Sequence, residues 1–140
     1  MKCFNYIPAG MEELMRTLGA KRVKVKIGPD WETPNLHILL TKEDDAVVAR
    51  CLDFTVSSHG YDEEQAIEAL AEAIGEYILS AIENDSIGQI NDPAYGKYWR
   101  MFNEAVARDT GKQLAKSLQK SRHELRTEKF RDSGIKISYA

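Results

Sequence analysis

Basic residues recur at helical spacing near the end of the chain, a pattern that can bind phosphate groups. Their positions are Arg108, Lys112, Lys116, Lys120, Arg122, Arg126 and Lys129. Residues four apart lie on one side of a helix, so the first four share a face. Clustered lysine and arginine attract nucleic acid without regard to sequence, and salt weakens the attraction. The candidate nucleic-acid-binding residues are Lys112, Lys116, Lys120, Arg122 and Arg126.

Glutamates form a second periodic pattern in the middle of the chain. Glu64, Glu68, Glu72 and Glu76 are spaced four apart, so they share one face of a predicted helix. Their three like-charged neighbour pairs cost about 1 kcal/mol of helix stability, at roughly 0.2 to 0.5 kcal/mol each. The stripe is either a solvated helix face or a surface that meets a basic partner, and these four are the candidate partner-binding residues.

The two charge patterns also allow an interpretation without nucleic acid. The basic face could neutralise the glutamates, within the chain or across an oligomer, or it could be a plain solvated face. Exposed ion pairs contribute only about 0 to 1 kcal/mol each, so charge by itself does not choose between these alternatives.

Residue types that usually perform catalysis or bind metals are scattered along the sequence. His37, His59 and His123 do not stand at zinc-ligand spacing from cysteine or carboxylate residues. Ser57 and Ser58 precede His59, but successive strand residues face opposite sides, so this adjacency does not build a nucleophile. The sequence has no glycine-rich phosphate loop and no Gly-x-Ser-x-Gly elbow. We therefore expect no enzyme, no cofactor and no metal site.

The two cysteines and the hydropathy of the sequence indicate the cellular compartment of the protein. Cys3 and Cys51 are far apart and have neither metal-ligand nor redox spacing, which favours reduced thiols, with Cys51 packed as a small hydrophobic residue. The apolar runs are far shorter than the approximately 20 residues that cross a bilayer, and the N-terminus lacks a signal-peptide layout. We expect a cytoplasmic protein with no membrane partner.

A β-hairpin is predicted from residue 36 to residue 52. Leu36, Ile38 and Leu40 alternate with their neighbours and so share one face of a strand. A charged turn follows at 42–45, more typical of a soluble hairpin than of a cation site, and 47–52 alternates again. A third strand is expected at 54–58, ended by His59 and Gly60. A further strand is expected at 22–27.

The long helix that follows carries clear start signals. Asp62 can cap its first turn, and Gln65 can reach back to the backbone amide of the cap, as in a capping box. Its apolar stripe consists of Ala66, Ile67, Leu70, Ile74, Tyr77, Ile78 and Ala81, and it is predicted to pack against the sheet. After this helix, 86–90 reads as a short connector or an edge strand.

The two ends of the chain add further expected elements. Met11, Leu14, Met15 and Leu18 have the spacing of a short helix. Aromatic residues at helical spacing predict a helix over 93–108, and Gly111 favours a break near Asp109 before a second helix over 111–130. This second helix has a narrow apolar stripe of Leu114, Leu118 and Leu125. Residues 135–139 alternate as in a terminal strand that could add to a sheet edge.

Charge divides the 140 residues into two parts. The net charge is −3, with 43% hydrophobic residues, which suffices for a core. Residues 1–92 carry 8 Lys and Arg against 17 Asp and Glu, a net of −9, whereas 93–140 carry 11 against 5, a net of +6. We therefore predict an α/β platform over 1–91 and a basic helical extension over 92–140.

The hairpin and the helix together resemble the HicB antitoxin family over residues 36–80. The matching residues are Cys51, Asp53, Ser58, Gly60 and Ala66. Asp62 stands for the family's capping threonine and Gln65 for its glutamate, and both changes preserve the capping chemistry. Leu52 stands where the family usually has proline.

The resemblance implies a partly degenerate ribonuclease-H-like platform without nuclease activity. It further implies a small, basic, mRNA-cleaving HicA-like toxin as the partner, operator DNA as a target, and assembly as a homo-oligomer. We accordingly expect a HicB-like antitoxin that can also repress its own operon. The alternatives are a DNA-binding regulator acting through the basic helix and a self-assembling accessory protein. The expected fold is α+β, a small antiparallel β-meander packed by one long amphipathic helix, with a helical extension and a terminal strand.

Overall fold

A four-stranded antiparallel sheet is the central element of the computed structural model, which describes residues 15–122 and 134–139. Its strands are β1 (Met15–Val23), β4 (Leu36–Glu43), β5 (Ala46–Cys51) and β6 (Val56–Gly60), adjacent in the order β1-β4-β5-β6. A separate two-stranded ribbon pairs β2 (Lys26–Ile27) with β3 (Trp31–Glu32). With its two long helices, described below, the fold is α+β, as the sequence predicts.

The predicted hairpin is confirmed as β4 and β5. The strands meet at Glu43 and Ala46, and the intervening turn places Asp44 at a φ of 55°. Aspartate tolerates this left-handed conformation better than most residues because its short polar side chain can hydrogen-bond locally. The prediction that His59 and Gly60 end the third strand is wrong, because both pair with β5, opposite Val48 and Val47.

The prediction of a short N-terminal helix is also wrong for the part of that segment that the structure describes. Met15 and Leu18 lie in β1, which pairs with β4 along its length and has an irregularity between Thr17 and Gly19. Pairing supplies partners for the backbone groups along the free edge of β4, which local side-chain spacing does not reveal. Met11 and Leu14 lie outside the described residues. The strand predicted at 22–27 is divided between β1 and β2.

Helix α1 spans Glu63–Glu83 and starts as predicted. The Asp62 carboxylate accepts a hydrogen bond from the Gln65 backbone N–H at 2.8 Å. The Gln65 side chain accepts from the Tyr61 N–H at 2.8 Å, one residue before the expected amide. The buried residues of α1 are Ala66, Leu70, Ile74, Ile78 and Ala81, and the helix packs on the sheet face that contains Ile38, Leu40 and Ala49.

The opposite face of the sheet is covered by the start of a second long helix, α2 (Gly96–Ser121). Leu39, Leu52 and Phe102 form a small buried cluster there, and Tyr98 and Trp99 pack against it. Leu39 points away from Ile38 and Leu40 because strand residues alternate between faces. Three aromatic residues at helical spacing are therefore packing residues, as their spacing suggests: Tyr98, Trp99 and Phe102.

Two further expectations, both for the C-terminal part, are wrong, and one open alternative is decided. Helix α2 is continuous through Asp109 and Gly111, so no break occurs. A helical glycine costs only about 1 kcal/mol relative to alanine, which a long helix tolerates. Residues 135–139 form no strand and are exposed. Between the helices, Ile87–Gln89 form a 3-10 turn, which makes 86–90 a connector and not an edge strand.

The chain divides into two compact units, 1–106 and 107–140. The first unit contains the sheet, α1 and the start of α2, so it extends beyond the change of charge at residue 92. In the second unit, α2 continues to Ser121, while Leu125 and the predicted helix end near residue 130 lie outside the described residues. No helix within 15–122 or 134–139 is both long and apolar enough to cross a membrane.

Candidate functional site

The acidic face of α1 is the first surface that the sequence singles out, and the structure leaves it open. Glu64, Glu68, Glu72 and Glu76 are all exposed, on the side of the helix away from the sheet. Within the described parts of the chain, none of the four forms an ion pair. The helix beneath them is held by its buried stripe and by its cap, so the four carboxylates are presented on a well-anchored support.

The acidic face does not consist of charges alone. Leu79 and Ile82 lie at its C-terminal end and are 46% and 54% exposed. Gly75 lies between the glutamates, and a Cβ placed there would meet no atom within 4 Å. The face can therefore receive a closely approaching element that offers positive charge and some apolar surface.

The basic face of α2 is the second predicted surface and belongs to the second unit. Lys112, Lys116, Lys120 and Arg122 are exposed, and so is every residue over 107–120. Arg126 lies outside the described residues. Because the charged residues stand at helical spacing on a continuous helix, the surface can follow a phosphate backbone or an acidic protein face.

A polar cluster at one end of the hairpin was not predicted. Asp53 Oδ2 accepts a hydrogen bond from the His37 backbone N–H at 2.7 Å, and Asp53 Oδ1 lies 3.1 Å from His37 Nδ1. The His37 ring packs 5.2 Å from the ring of Trp99, centroid to centroid. The Cys51 thiol lies 3.9 Å from Asp53 Oδ2. This cluster joins the end of β5 to the start of β4 and to α2.

The chemistry of Cys51 is set by its surroundings. Burial raises the pKa of its thiol from 9.0 to about 11, and the nearby Asp53 carboxylate acts in the same direction. A thiol with this pKa is protonated at neutral pH, whereas a nucleophilic cysteine needs the thiolate. His37, Cys51 and Asp53 therefore form a polar cluster in which burial and the Asp53 carboxylate keep the thiol protonated at neutral pH.

A second unpredicted cluster lies at the other end of the hairpin. Arg50 Nη1 donates hydrogen bonds to Glu43 Oε2 at 2.8 Å and to Thr41 Oγ1 at 3.0 Å. The Arg50 guanidinium also lies 4.7 Å from the centre of the Tyr98 ring. Burial by itself raises the pKa of Glu43, but the hydrogen bonds from Arg50 and Thr41 outweigh it and lower the pKa. This cluster could have been found by aligning the two strands of the hairpin in register, because Thr41 and Glu43 then lie on the same face of the sheet as Arg50.

An apolar groove of about 630 Å³ opens between the β2–β3 ribbon and the end of α1. Its lining includes Ile27, Trp31, Leu36, Phe54, Ile78 and Ile87. Asp53 is the charged residue that lines it. The sequence did not predict this groove, because its walls come from four separate stretches of the chain.

The remaining candidate residues that the structure describes lie apart from one another. His59 is exposed on β6, and His123 lies outside the described residues. Of the charged turn, Glu43 is paired with Arg50 while Asp44 and Asp45 are exposed. Across 15–122 and 134–139, no group of three or more His, Cys, Asp or Glu side chains could hold a metal ion.

The residues that carry the family resemblance have structural roles. Cys51 and Ala66 are buried, and Asp53 holds His37. A Cβ on Gly60 would lie 2.7 Å from the Ala66 backbone nitrogen, so only glycine fits where β6 meets α1. Comparisons with models of protein families, with curated proteins and with solved structures found no match.

Proposed function

We propose that this protein is a HicB-like, non-enzymatic antitoxin that binds and neutralises a small basic toxin. The proposal is supported by the positions of the residues that resemble the family. Gly60 and Ala66 form the junction between β6 and α1, and Asp53 anchors the hairpin. These residues specify a platform on which α1 presents its outer face to a partner.

The observation that carries the proposal is the exposed acidic face of α1. Four exposed glutamates at four-residue spacing repel one another by about 1 kcal/mol in total. A partner that brings lysine or arginine between them removes this repulsion and gains attraction, which accelerates association and favours basic over acidic partners. A small basic toxin that binds RNA through its own positive surface has the required charge.

Co-expression with the small open reading frame adjacent to the gene tests this proposal. We expect the two proteins to co-purify and the platform to relieve the growth arrest that the small protein causes. The triple variant Glu68→Gln, Glu72→Gln, Glu76→Gln should weaken the complex by at least about tenfold, or about 1.4 kcal/mol. The matched control, Asp30→Asn, Glu32→Gln, Asp45→Asn, removes three exposed acidic charges elsewhere and should bind normally. Failure to co-purify or to relieve toxicity contradicts the proposal.

A second candidate function is DNA binding through α2, and the full exposure of its basic face favours it. Neutralising three phosphates releases their counterions, so affinity for duplex DNA should fall steeply with salt. The variant Lys112→Gln, Lys116→Gln, Lys120→Gln should flatten the log–log salt slope by about 0.9 for each phosphate that the protein no longer neutralises. The control Lys21→Gln, Lys24→Gln, Lys26→Gln removes three exposed platform charges and should leave the slope unchanged. Absence of binding to upstream DNA at low salt excludes this function.

A further inference from the structure

The apolar groove between the β2–β3 ribbon and the end of α1 brings together exposed apolar side chains from three separate stretches of the chain. Trp31, Ile82 and Ile87 are 51%, 54% and 56% exposed, and all three line it. Single exposed apolar residues are common on protein surfaces, whereas residues that converge on one concave surface mark a binding site. The volume of about 630 Å³ lies within the range of about 300 to 1,000 Å³ that is typical of sites for small molecules. We call this site the ribbon groove.

Both walls of the ribbon groove are held in place by the fold itself. The Thr33 N–H donates to the Val25 carbonyl at 2.9 Å, and the Thr33 hydroxyl accepts from the Val25 N–H at 2.9 Å, so two hydrogen bonds close the base of the ribbon. On the other side, Ile78 is part of the core beneath α1, and the Phe54 ring stacks on the Tyr77 ring with centroids 5.4 Å apart. The groove is therefore preformed, as sites for small molecules usually are.

A carboxylate stands in this apolar lining. Asp53 is the charged residue of the lining, and its side chain is 26% exposed. Within the parts of the chain that the structure describes, no lysine or arginine pairs with it. Its contacts are with the His37 backbone N–H and ring at 2.7 and 3.1 Å, and with the Cys51 thiol at 3.9 Å. The two oxygens of a carboxylate offer about four acceptor positions, so Asp53 can accept a further hydrogen bond from the groove.

The end of α1 adds negative potential to the ribbon groove. Ile82 lies in the last turn of α1, which carries no basic residue, so no charge there offsets the negative end of the helix dipole. The lysines of the ribbon do not reverse this sign. Lys24 pairs with Glu32 at 3.9 Å, and Lys26 points away from the side of β2 on which Ile27 lines the groove. The groove therefore favours a positive charge on its ligand and repels a carboxylate.

We propose that the ribbon groove binds a small molecule that joins an apolar body to one ammonium group. The apolar body packs against the isoleucines, Trp31 and Phe54 of the lining, which removes their exposed surface from water. The ammonium group donates to Asp53, and such a charge-assisted hydrogen bond is about twice as strong as a neutral one. The proposal goes beyond the proposed function, since it needs neither a toxin nor DNA.

Calorimetric titration of the full chain with three probes of similar shape tests the class of ligand. Phenylbutylamine, phenylbutanol and phenylbutyrate share an apolar body and end in a cationic, a neutral and an anionic group. We expect the amine to bind with a Kd of about 1 mM or tighter, and the alcohol at least about tenfold more weakly, because a charge-assisted hydrogen bond is lost. The carboxylate should bind more weakly still.

Two results of these titrations would overturn the proposal. One is the absence of saturable binding of the amine up to about 10 mM. The other is an amine that binds no more tightly than the alcohol, which would assign the groove to an apolar side chain of a protein partner.

Nuclear magnetic resonance locates the bound amine. The indole N–H signal of Trp31 should shift as phenylbutylamine is added, and it should saturate at the same concentration as the heat of binding. The signal of Trp99, which packs on the other face of the sheet, should shift less. If Trp31 does not respond while signals over residues 64–76 shift, the amine is only a counter-ion of the acidic face and the proposal is wrong.

A charge-neutralising variant tests the role of Asp53. Asp53→Asn keeps an acceptor for the His37 N–H but removes the charge, so the preference for the amine over the alcohol should fall to less than about threefold. The control Asp30→Asn removes an exposed charge from the turn of the ribbon, outside the lining, and should leave the preference unchanged. A preference that survives in a folded Asp53→Asn variant contradicts the proposal.

A second pair of variants leaves the hydrogen bonds of Asp53 intact. Ile82→Lys brings a positive charge to the groove from an exposed position and should weaken binding of the amine by at least about tenfold. Leu79→Lys adds the same charge on the same helix, outside the lining, and should weaken it by less than about threefold. Equal affinity of the wild type and Ile82→Lys for the amine would overturn the proposal.

Discussion

The carboxylate of Asp53 holds both the backbone and the side chain of His37. Its Oδ2 accepts the His37 N–H at 2.7 Å and its Oδ1 lies 3.1 Å from His37 Nδ1. The Leu52 N–H donates to the His37 carbonyl at 2.9 Å, so the chain after β5 is tied to the start of β4 by three contacts. The segment from Cys51 to Asp53 therefore ties the two strands of the hairpin together at this end.

Removing the Asp53 carboxylate should destabilise the platform. Asp53→Ala leaves the half-buried His37 N–H without its acceptor, so we expect the free energy of unfolding to fall by about 1 to 3 kcal/mol. Urea denaturation followed by tryptophan fluorescence measures this change. Glu72→Ala, on the exposed face of α1, serves as the control and should change stability by no more than about 0.5 kcal/mol.

Two glycines should respond to alanine in opposite directions. Gly60→Ala puts a Cβ 2.7 Å from the Ala66 nitrogen, so backbone must move, and we expect a loss of about 1 to 3 kcal/mol. Gly75→Ala meets no atom within 4 Å and improves helix propensity, so we expect a gain of about 0.5 to 1 kcal/mol. Thermal unfolding of both variants measures these shifts, and equal signs would contradict the packing at the β6–α1 junction.

Ionisation of the Cys51 thiol should lower the stability of the folded protein at alkaline pH. Burial raises its pKa from 9.0 to about 11 in the folded protein, so between these values the folded state holds a proton that the unfolded state releases. Its contribution to stability is therefore complete below pH 9 and is lost as the pH rises toward 11. Urea titrations of wild type and Cys51→Ala at several pH values should show the steeper decline in the wild type. Parallel curves would show that Cys51 does not titrate in this way.

The ion pair between Arg50 and Glu43 should make the stability of the folded protein depend on pH in the acidic range. The pKa of Glu43 is below its usual 4.5 in the folded protein, so its contribution is present above that value and is lost as the pH falls through the lowered pKa. Arg50→Met removes the hydrogen bond and the charge while burial remains, so the pKa of Glu43 should rise. Carboxyl carbon NMR titration measures it directly, with Lys42→Met as a control for loss of a neighbouring charge.

Local patterns in the sequence determined the hairpin, α1 and the role of the aromatic residues in α2. Alternation in β4 and β5 and the Asp62 cap depend on neighbours within a few residues, so the chain specifies them by itself. The acidic and basic faces were also visible, since helical spacing fixes which charges share a side. Whether either face binds the proposed partners stays a prediction.

Only the tertiary structure decided the rest. Residues with helical spacing at Met15 and Leu18 form a strand because β4 has a free edge whose hydrogen-bonding groups need partners. The clusters around Asp53 and Arg50 depend on the register of β4 with β5 and on the approach of α2. Contacts between residues distant in sequence follow from how whole elements pack, and no local pattern encodes that packing.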